Sequence, residues 1–125
     1  MSDYSEYQHL RISVDDLGVA TVLIPVVGSV GRRQAEIHRE ISTVWSRLGE
    51  DRAVRSILVT GEGDEFYVSA DLHGVKAIPG MSKEDTFDLL QRMAKEGVDI
   101  VYKMVELDKP IVAAINGKAA GGGLA

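Results

Sequence analysis

Lys109-Pro-Ile-Val-Ala-Ala-Ile-Asn-Gly-Lys-Ala-Ala-Gly-Gly-Gly-Leu-Ala125 is the stretch on which the fold turns. An apolar run at 111–115 breaks at Asn116-Gly117, passes through a lysine and two alanines, and enters three successive glycines. That order reads as a buried strand, a tight turn and then a backbone with no side chains in its way. Glycines at such a place let a ligand oxygen come close to peptide N–H groups, and a helix starting there would add partial positive charge. The site suits an oxygen that carries or gains negative charge. Taken alone, Gly-Gly-Gly is a flexible linker, so the rest of the chain decides between the two readings.

Upstream, strands and helices alternate. Residues 10–14 and 19–24 have period-two apolar positions around Asp15-Asp16-Leu17-Gly18 and predict a hairpin, closed by Pro25. After the Gly28-Ser-Val-Gly31 break, Ile37, Ile41, Val44 and Leu48 fall on one helical face, with Glu36, Arg39, Glu40 and Arg47 largely outside, as far as Gly49. Residues 56–60 read as a short buried strand. Pro79-Gly80 prepares a second helix, capped by Ser82 with Asp85 three residues on. Phe87, Leu90, Ala94, Val98, Val101 and Val105 follow at spacings of three and four and predict a long buried stripe. That helix is expected over 82–107, ending before Pro110. Two strands, a helix, a strand, a long helix and a strand predict an α/β domain whose sheet is covered by helices.

Composition narrows the function classes. The chain has 125 residues, 45% hydrophobic and 26% charged, which is enough for one domain with a real core. A net charge of −5 disfavours a nucleic-acid partner, which would require a basic face. The absence of cysteine excludes a disulfide scaffold and thiolate zinc sites and fits a cytoplasmic location. The polar, acidic start Met-Ser-Asp-Tyr-Ser-Glu-Tyr reads as neither a signal nor a transit peptide. No run approaches the roughly 20 apolar residues of a membrane helix, so no membrane partner is expected.

Read with its flanks, Lys-Pro-Ile-Val-Ala-Ala-Ile-Asn-Gly followed by Ala-Ala-Gly-Gly-Gly resembles the most recognisable stretch of the crotonase family, the enoyl-CoA hydratases and isomerases. Arg55-Ser-Ile-Leu-Val-Thr-Gly-Glu-Gly-Asp-Glu-Phe-Tyr-Val-Ser-Ala-Asp-Leu72 looks like that family's other marker, a strand, a Gly-x-Gly turn and a Phe-x-x-Gly-Ala-Asp-Leu segment. The resemblance runs from about His9 to Ala125. It implies a crotonase-like α/β spiral of ββα units, of which residues 1–125 would be the N-terminal half, one partial acyl-CoA-binding domain. The family is built to about twice this length, and the resemblance implies a homotrimer or hexamer for the whole protein.

The same resemblance implies the chemistry. Two backbone N–H groups hold the carbonyl of an acyl-CoA thioester and stabilise the enolate oxygen that develops, and one such donor is typically worth about 2.7 to 4 kcal/mol in the transition state. By position these are the N–H groups of Ala70 and Gly122. The substrate's neighbours would be Ala70, Asp71, Leu72, His73 and Gly122. No metal is implied, and no cofactor beyond the coenzyme A that the substrate carries. A hydratase also needs two glutamates as general acid and base. The first belongs at Ala125 and the second beyond it, so a two-glutamate hydratase is disfavoured against an isomerase, hydrolase or decarboxylase that uses a single acid elsewhere. A non-catalytic binding or oligomerisation subunit is the alternative that Ala125 suggests. Ser69 departs from the family's usual glycine, and Gly28-Ser-Val-Gly31 stands where an Asn-Ala-Leu often contacts the coenzyme.

Other candidates have plainer readings. Gly61-Glu-Gly63-Asp-Glu-Phe66 lacks the third glycine of a dinucleotide fingerprint and carries acidic residues that would repel pyrophosphate, so it reads as a surface turn. Asp71 and His73 have no suitably spaced third ligand for a metal. In this family Asp71 would hold its loop together. His38 reads as an interface or surface residue, and Arg32-Arg33 as a solvated helix start rather than a phosphate contact.

Overall fold

A computed structural model describes residues 2–28, 31–69 and 77–125. Strands β1 (Arg11–Val14) and β2 (Val19–Ile24) form the expected antiparallel hairpin, Arg11 opposite Leu23 and Val14 opposite Ala20. Asp15 ties its turn, accepting from the backbone N–H groups of Leu17 and Val19 at 2.9 Å each. Helix α1 (Arg32–Glu50) follows, then β3 (Ser56–Gly61) parallel to β2, and β4 (Glu65–Val68). Helix α2 (Lys83–Val105) returns the chain to β5 (Ile111–Ala114), parallel to β3, and β6 (Lys118–Ala120) pairs with β4. The main sheet is ordered β1-β2-β3-β5, and β4 and β6 form a second, two-stranded parallel sheet. β3-β4-α2 is thus a complete ββα turn, and β5-β6 opens the next, the repeat that the resemblance implies.

β4 and β6 are the strands that hydrophobic periodicity does not reveal. Glu-Phe-Tyr-Val and Lys-Ala-Ala are too short for an alternation to stand out, and alanine and lysine are poor strand formers. What makes them strands is tertiary. Asn116 brackets the β3–β4 turn, its Oδ1 accepting from Gly61 N at 2.9 Å and its Nδ2 donating to Gly63 O and Glu65 O at 2.8 and 3.1 Å. The Gly61-Glu-Gly63 segment is therefore a turn clamped to the end of β5, in line with its plain reading.

The core lies between the main sheet and α1. Ile37, Ile41, Val44, Trp45 and Leu48 are buried against Ala20, Val22, Ile57 and Val59. The N-terminal segment wraps the outer side of that helix. Glu40 accepts from the backbone N–H groups of Gln8, His9 and Leu10 at 2.6 to 3.2 Å, Tyr4 joins the core, and the Arg47 guanidinium lies 4.6 Å over the Tyr4 ring. Lys109 ends α1 rather than reaching a ligand: its Nζ donates to Leu48 O at 2.8 Å and Asp51 O at 2.7 Å, cation against the helix C-terminus.

Helix α2 departs from its predicted packing. Ser82 caps it as expected, its Oγ accepting from Asp85 N at 3.0 Å. The stripe expected to be buried is not: Phe87, Ala94, Val98, Val101 and Val105 are exposed. The seam with α1 is the adjacent one, through Met93, Gly97, Ile100 and Met104. Both stripes have helical spacing, so periodicity alone gives no means of choosing. His38 of α1 meets Glu96 of α2 at this seam, Nδ1 to Oε2 at 2.9 Å, and so is an interface residue. Arg32 and Arg33 are solvent-exposed, as a solvated helix start requires.

Candidate active site at the ends of two parallel strands

Two segments far apart in sequence meet where β4 and β6 end. The strands run parallel, with Tyr67 opposite Ala119 and Val68 opposite Ala120, so both deliver their following residues to the same edge. Carboxyl ends of parallel strands are where open α/β sheets place ligands. From β4 the chain passes to Ser69, and from β6 into a short 3-10 turn, Gly121–Leu124, in place of an α-helix start. Ser69 N donates to Ala120 O at 3.3 Å, and Gly122 N donates to Ser69 Oγ at 2.7 Å. Gly122, one of the two predicted donors, thus stands beside the segment predicted to supply the other.

The glycines are required by this meeting. Gly121 has φ 60°, and a Cβ on it would collide with Ser69 Oγ. A Cβ on Gly122 would come within 2.9 Å of the Tyr67 ring. The linker reading of Gly-Gly-Gly fails on these contacts, since a linker has no need to be bare. Ala70, Asp71, Leu72 and His73, the other predicted site residues, lie outside the described residues, as do Ser29 and Val30.

A cavity of about 390 Å³ adjoins this edge, lined by Tyr67, Ser69 and Gly122 on one side and by Met93, Ile100 and Met104 on another. Its size falls within the range of small-molecule sites, roughly 300–1,000 Å³. The mostly apolar wall suits an acyl chain, and Ser69 and Gly122 bring polar atoms to it, as do Gln34 and His38. Tyr67 adds a buried phenol whose oxygen has no hydrogen-bond partner among the described residues. Burial pushes that phenol up to about 12, so it is a neutral hydroxyl at physiological pH. His9 bonds Glu36 at 2.8 Å and His38 bonds Glu96, on separate parts of α1's surface. Ser69 is the site residue that sequence reasoning undervalued. It entered as a departure from a pattern, whereas its hydroxyl makes the contact that joins the two motifs.

The chain is similar to a Bacillus subtilis protein named "Probable enoyl-CoA hydratase", 32% identical over 116 residues, covering 92% of this chain and 42% of that protein. It is also 32% identical over 124 residues to 4-chlorobenzoyl coenzyme A dehalogenase-2 of an Arthrobacter species, covering 99% of this chain and 43% of the relative. Among solved structures, an enoyl-CoA hydratase/isomerase from Mycobacterium paratuberculosis shares the fold with a TM-score of 0.67 at 21% identity, covering 90% of this chain and 48% of that one. The chain spans less than half the length of these curated relatives. Among the described residues no helix is long and apolar enough to cross a membrane. The enoyl-CoA hydratase/isomerase profile matches residues 33–125, which hold both site segments and all but the first hairpin of the sheet, and the chain belongs to that family.

Proposed function

We propose that the protein is an acyl-CoA enzyme that binds a thioester carbonyl and stabilises its enolate with the N–H groups of Ala70 and Gly122. The observation that carries this reading is the junction of the two motifs: Ser69, the residue before Ala70, lies 2.7 Å from Gly122 N. Two N–H groups that converge on one oxygen favour the form in which that oxygen is charged, and they do so most in an apolar, water-poor cavity. The substrate is an acyl-CoA thioester, with coenzyme A entering as part of it and no separate cofactor. The chemistry is of the isomerase, hydrolase or decarboxylase kind rather than two-glutamate hydration, because Ala125 stands at the first glutamate position. Asp71, Leu72 and His73 are the further substrate neighbours in this reading. The whole protein acts in the cytoplasm as a homotrimer or hexamer.

Ala125 also favours a second reading, a non-catalytic subunit that binds acyl-CoA or builds an oligomer. The two are separated with protein made from the full coding sequence. Titration calorimetry with acetoacetyl-CoA and with NAD is expected to show binding of the thioester alone, and tighter binding of NAD would sink the enzyme reading and the acyl-CoA-binding form of the second. Assays of isomerisation, hydration and thioester hydrolysis then distinguish an enzyme from a binding subunit. For the enzyme, Gly122→Pro removes a donor and is expected to lower turnover by about a hundredfold.

A further inference from the structure

Helix α1 brings a histidine to the wall of the cavity with one ring nitrogen tied and the other open. His38 Nδ1 lies 2.9 Å from Glu96 Oε2 on α2, and both residues are 13% exposed. A carboxylate accepts and does not donate, so Nδ1 carries the proton of that bond, and in the neutral ring the lone pair is left on Nε2. Nε2 has no hydrogen-bond partner among the described residues, and His38 lines the cavity.

Two neighbours on the same wall bear on the use of that nitrogen. Gly97 follows Glu96 in the interior of α2, where a glycine weakens a helix. The atom nearest to a Cβ built on it is His38 Nε2, at 3.9 Å, so a longer side chain there would reach over the ring nitrogen. Gln34, one turn before His38 on α1, is 2% exposed, and its Oε1 has no partner among the described residues. Two acceptors on successive turns of one helix therefore border a cavity walled beside them by Ile41, Met93 and Ile100. Buried acceptors are costly unless a donor reaches them, so this stretch of wall is shaped for a ligand as well as for packing. A histidine whose Nδ1 is held by a carboxylate and whose Nε2 opens on an apolar cavity has the arrangement of a general base: the carboxylate fixes the tautomer and stabilises the imidazolium that forms.

We propose that His38 is the catalytic base of this cavity and Glu96 the positioning residue that holds it. The inference rests on the acyl-CoA reading above and supplies the acid–base group that such chemistry needs, Ala125 leaving the first glutamate position without an ionisable side chain. In the step it performs, Nε2 takes a proton from the carbon next to the thioester carbonyl. The C–H electron pair moves into the enolate, and its charge comes to rest on the thioester oxygen. The imidazolium, paired with Glu96, then returns a proton to carbon. Return to the same carbon exchanges the α-proton with solvent, and return to the γ-carbon of an enoyl chain isomerises it.

The test follows α-proton exchange in protein made from the full coding sequence. Saturated acyl-CoA thioesters from butanoyl to decanoyl are incubated with it in deuterium oxide and read by NMR, and titration calorimetry gives the Kd of the same thioesters. Wild type is expected to exchange their α-protons. His38→Gln is close to histidine in size but takes no proton, and it is expected to lose about a hundredfold or more in exchange rate with Kd within a few fold of wild type. Glu96→Gln is expected to lose less, again with little change in Kd, a split that a role confined to the helix seam would not give. The second measurement is a crystal structure with butanoyl-CoA bound, in which the α-carbon is expected about 3.5 Å from Nε2; it decides the matter should His38→Gln fail to fold. The inference is overturned if His38→Gln exchanges as fast as wild type, if wild type binds the thioesters without exchanging them, or if the bound α-carbon lies out of reach of Nε2. Failure of wild type to bind any of these thioesters or acetoacetyl-CoA would instead remove the acyl-CoA reading, and this inference with it.

Discussion

Helices α1 and α2 are both amphipathic and both long, yet they stand in opposite relations to the sheet. On α1, Ile37, Val44 and Leu48 are each 0% exposed. On α2, whose apolar residues are as regularly spaced, Phe87 is 61% and Val105 76% exposed, and Met93 is the buried apolar residue. The difference is one of partners. α1 has a sheet beneath it and α2 over part of its flank, whereas α2 rests on α1 and turns a second apolar stripe outward. An amphipathic pattern records which face a helix can bury; what covers that face is a property of the rest of the fold.

Deleting buried volume on each helix tests this contrast most strongly. Leu48→Ala removes a fully buried side chain between α1 and the sheet and is expected to destabilise the chain by about 2 to 5 kcal/mol. Val105→Ala removes an exposed one and should stay within about 0.5 kcal/mol of wild type, helped by alanine's better helix propensity. Denaturant titration of both variants reads the difference. Equal losses would mean that the outward stripe of α2 is covered in solution.

The seam between the helices gives a smaller effect. His38 and Glu96 bond at 2.9 Å with side chains 13% exposed each, so the pair is largely shielded from solvent. Hydrogen bonds to charged groups contribute about 1.5 to 3 kcal/mol, and a partly solvated one falls at or below the lower end. Glu96→Ala is therefore expected to cost about 1 kcal/mol and to speed amide exchange in α2 more than in α1. Equal acceleration in both helices would show that α2 is held by more than this seam.

These same regions mark how far the sequence could be read. The hairpin, α1, β3 and the start of α2 follow from local signals: an Asp-rich turn, one apolar stripe, and Ser82 with Asp85. β5 is close to its expected bounds, ending at Ala114 instead of Ile115, but Val112, Ala113 and Ala114 are exposed where a buried strand is expected. β4 and β6 escape because what orders them is Asn116 reaching across to Gly61, Gly63 and Glu65, contacts between residues more than fifty positions apart. The wrong stripe on α2 has a related cause, since two adjacent apolar stripes differ in what lies opposite and not in spacing. At the site, Gly122 was singled out by resemblance, as a proposed donor, because a triple glycine is rare and its flanks are distinctive. The use of Ser69 was not, because a hydroxyl takes on meaning when its partner is known, and that partner lies 53 residues away.

Tyr67 separates the two regions by pH, with the smallest effect at neutrality. Its ring packs against Gly122 at the open side of the molecule, and its hydroxyl has no partner among the described residues. Replacing it in Tyr67→Phe removes a buried polar atom without breaking a bond, so stability at pH 7 should be unchanged or higher by up to about 1 kcal/mol. The contrast appears in alkali. Burial raises this phenol from 10.0 to about 12, so between those values the unfolded chain loses the proton while the folded chain keeps it. The unfolded state then binds fewer protons, and stability that is complete below pH 10 is lost as pH rises through about 12. On the α1 side Tyr4 is raised too, by burial and by its bond to Asp51, and so is Tyr7, by burial, so wild type has three such residues and Tyr67→Phe retains two. Denaturant midpoints measured from pH 7 to pH 12 should fall less steeply for Tyr67→Phe than for wild type, with the two curves closest to parallel below pH 10. An identical alkaline slope would mean that the Tyr67 phenol is reached by water, and that the cavity edge beside Gly122 is wetter than its apolar lining implies.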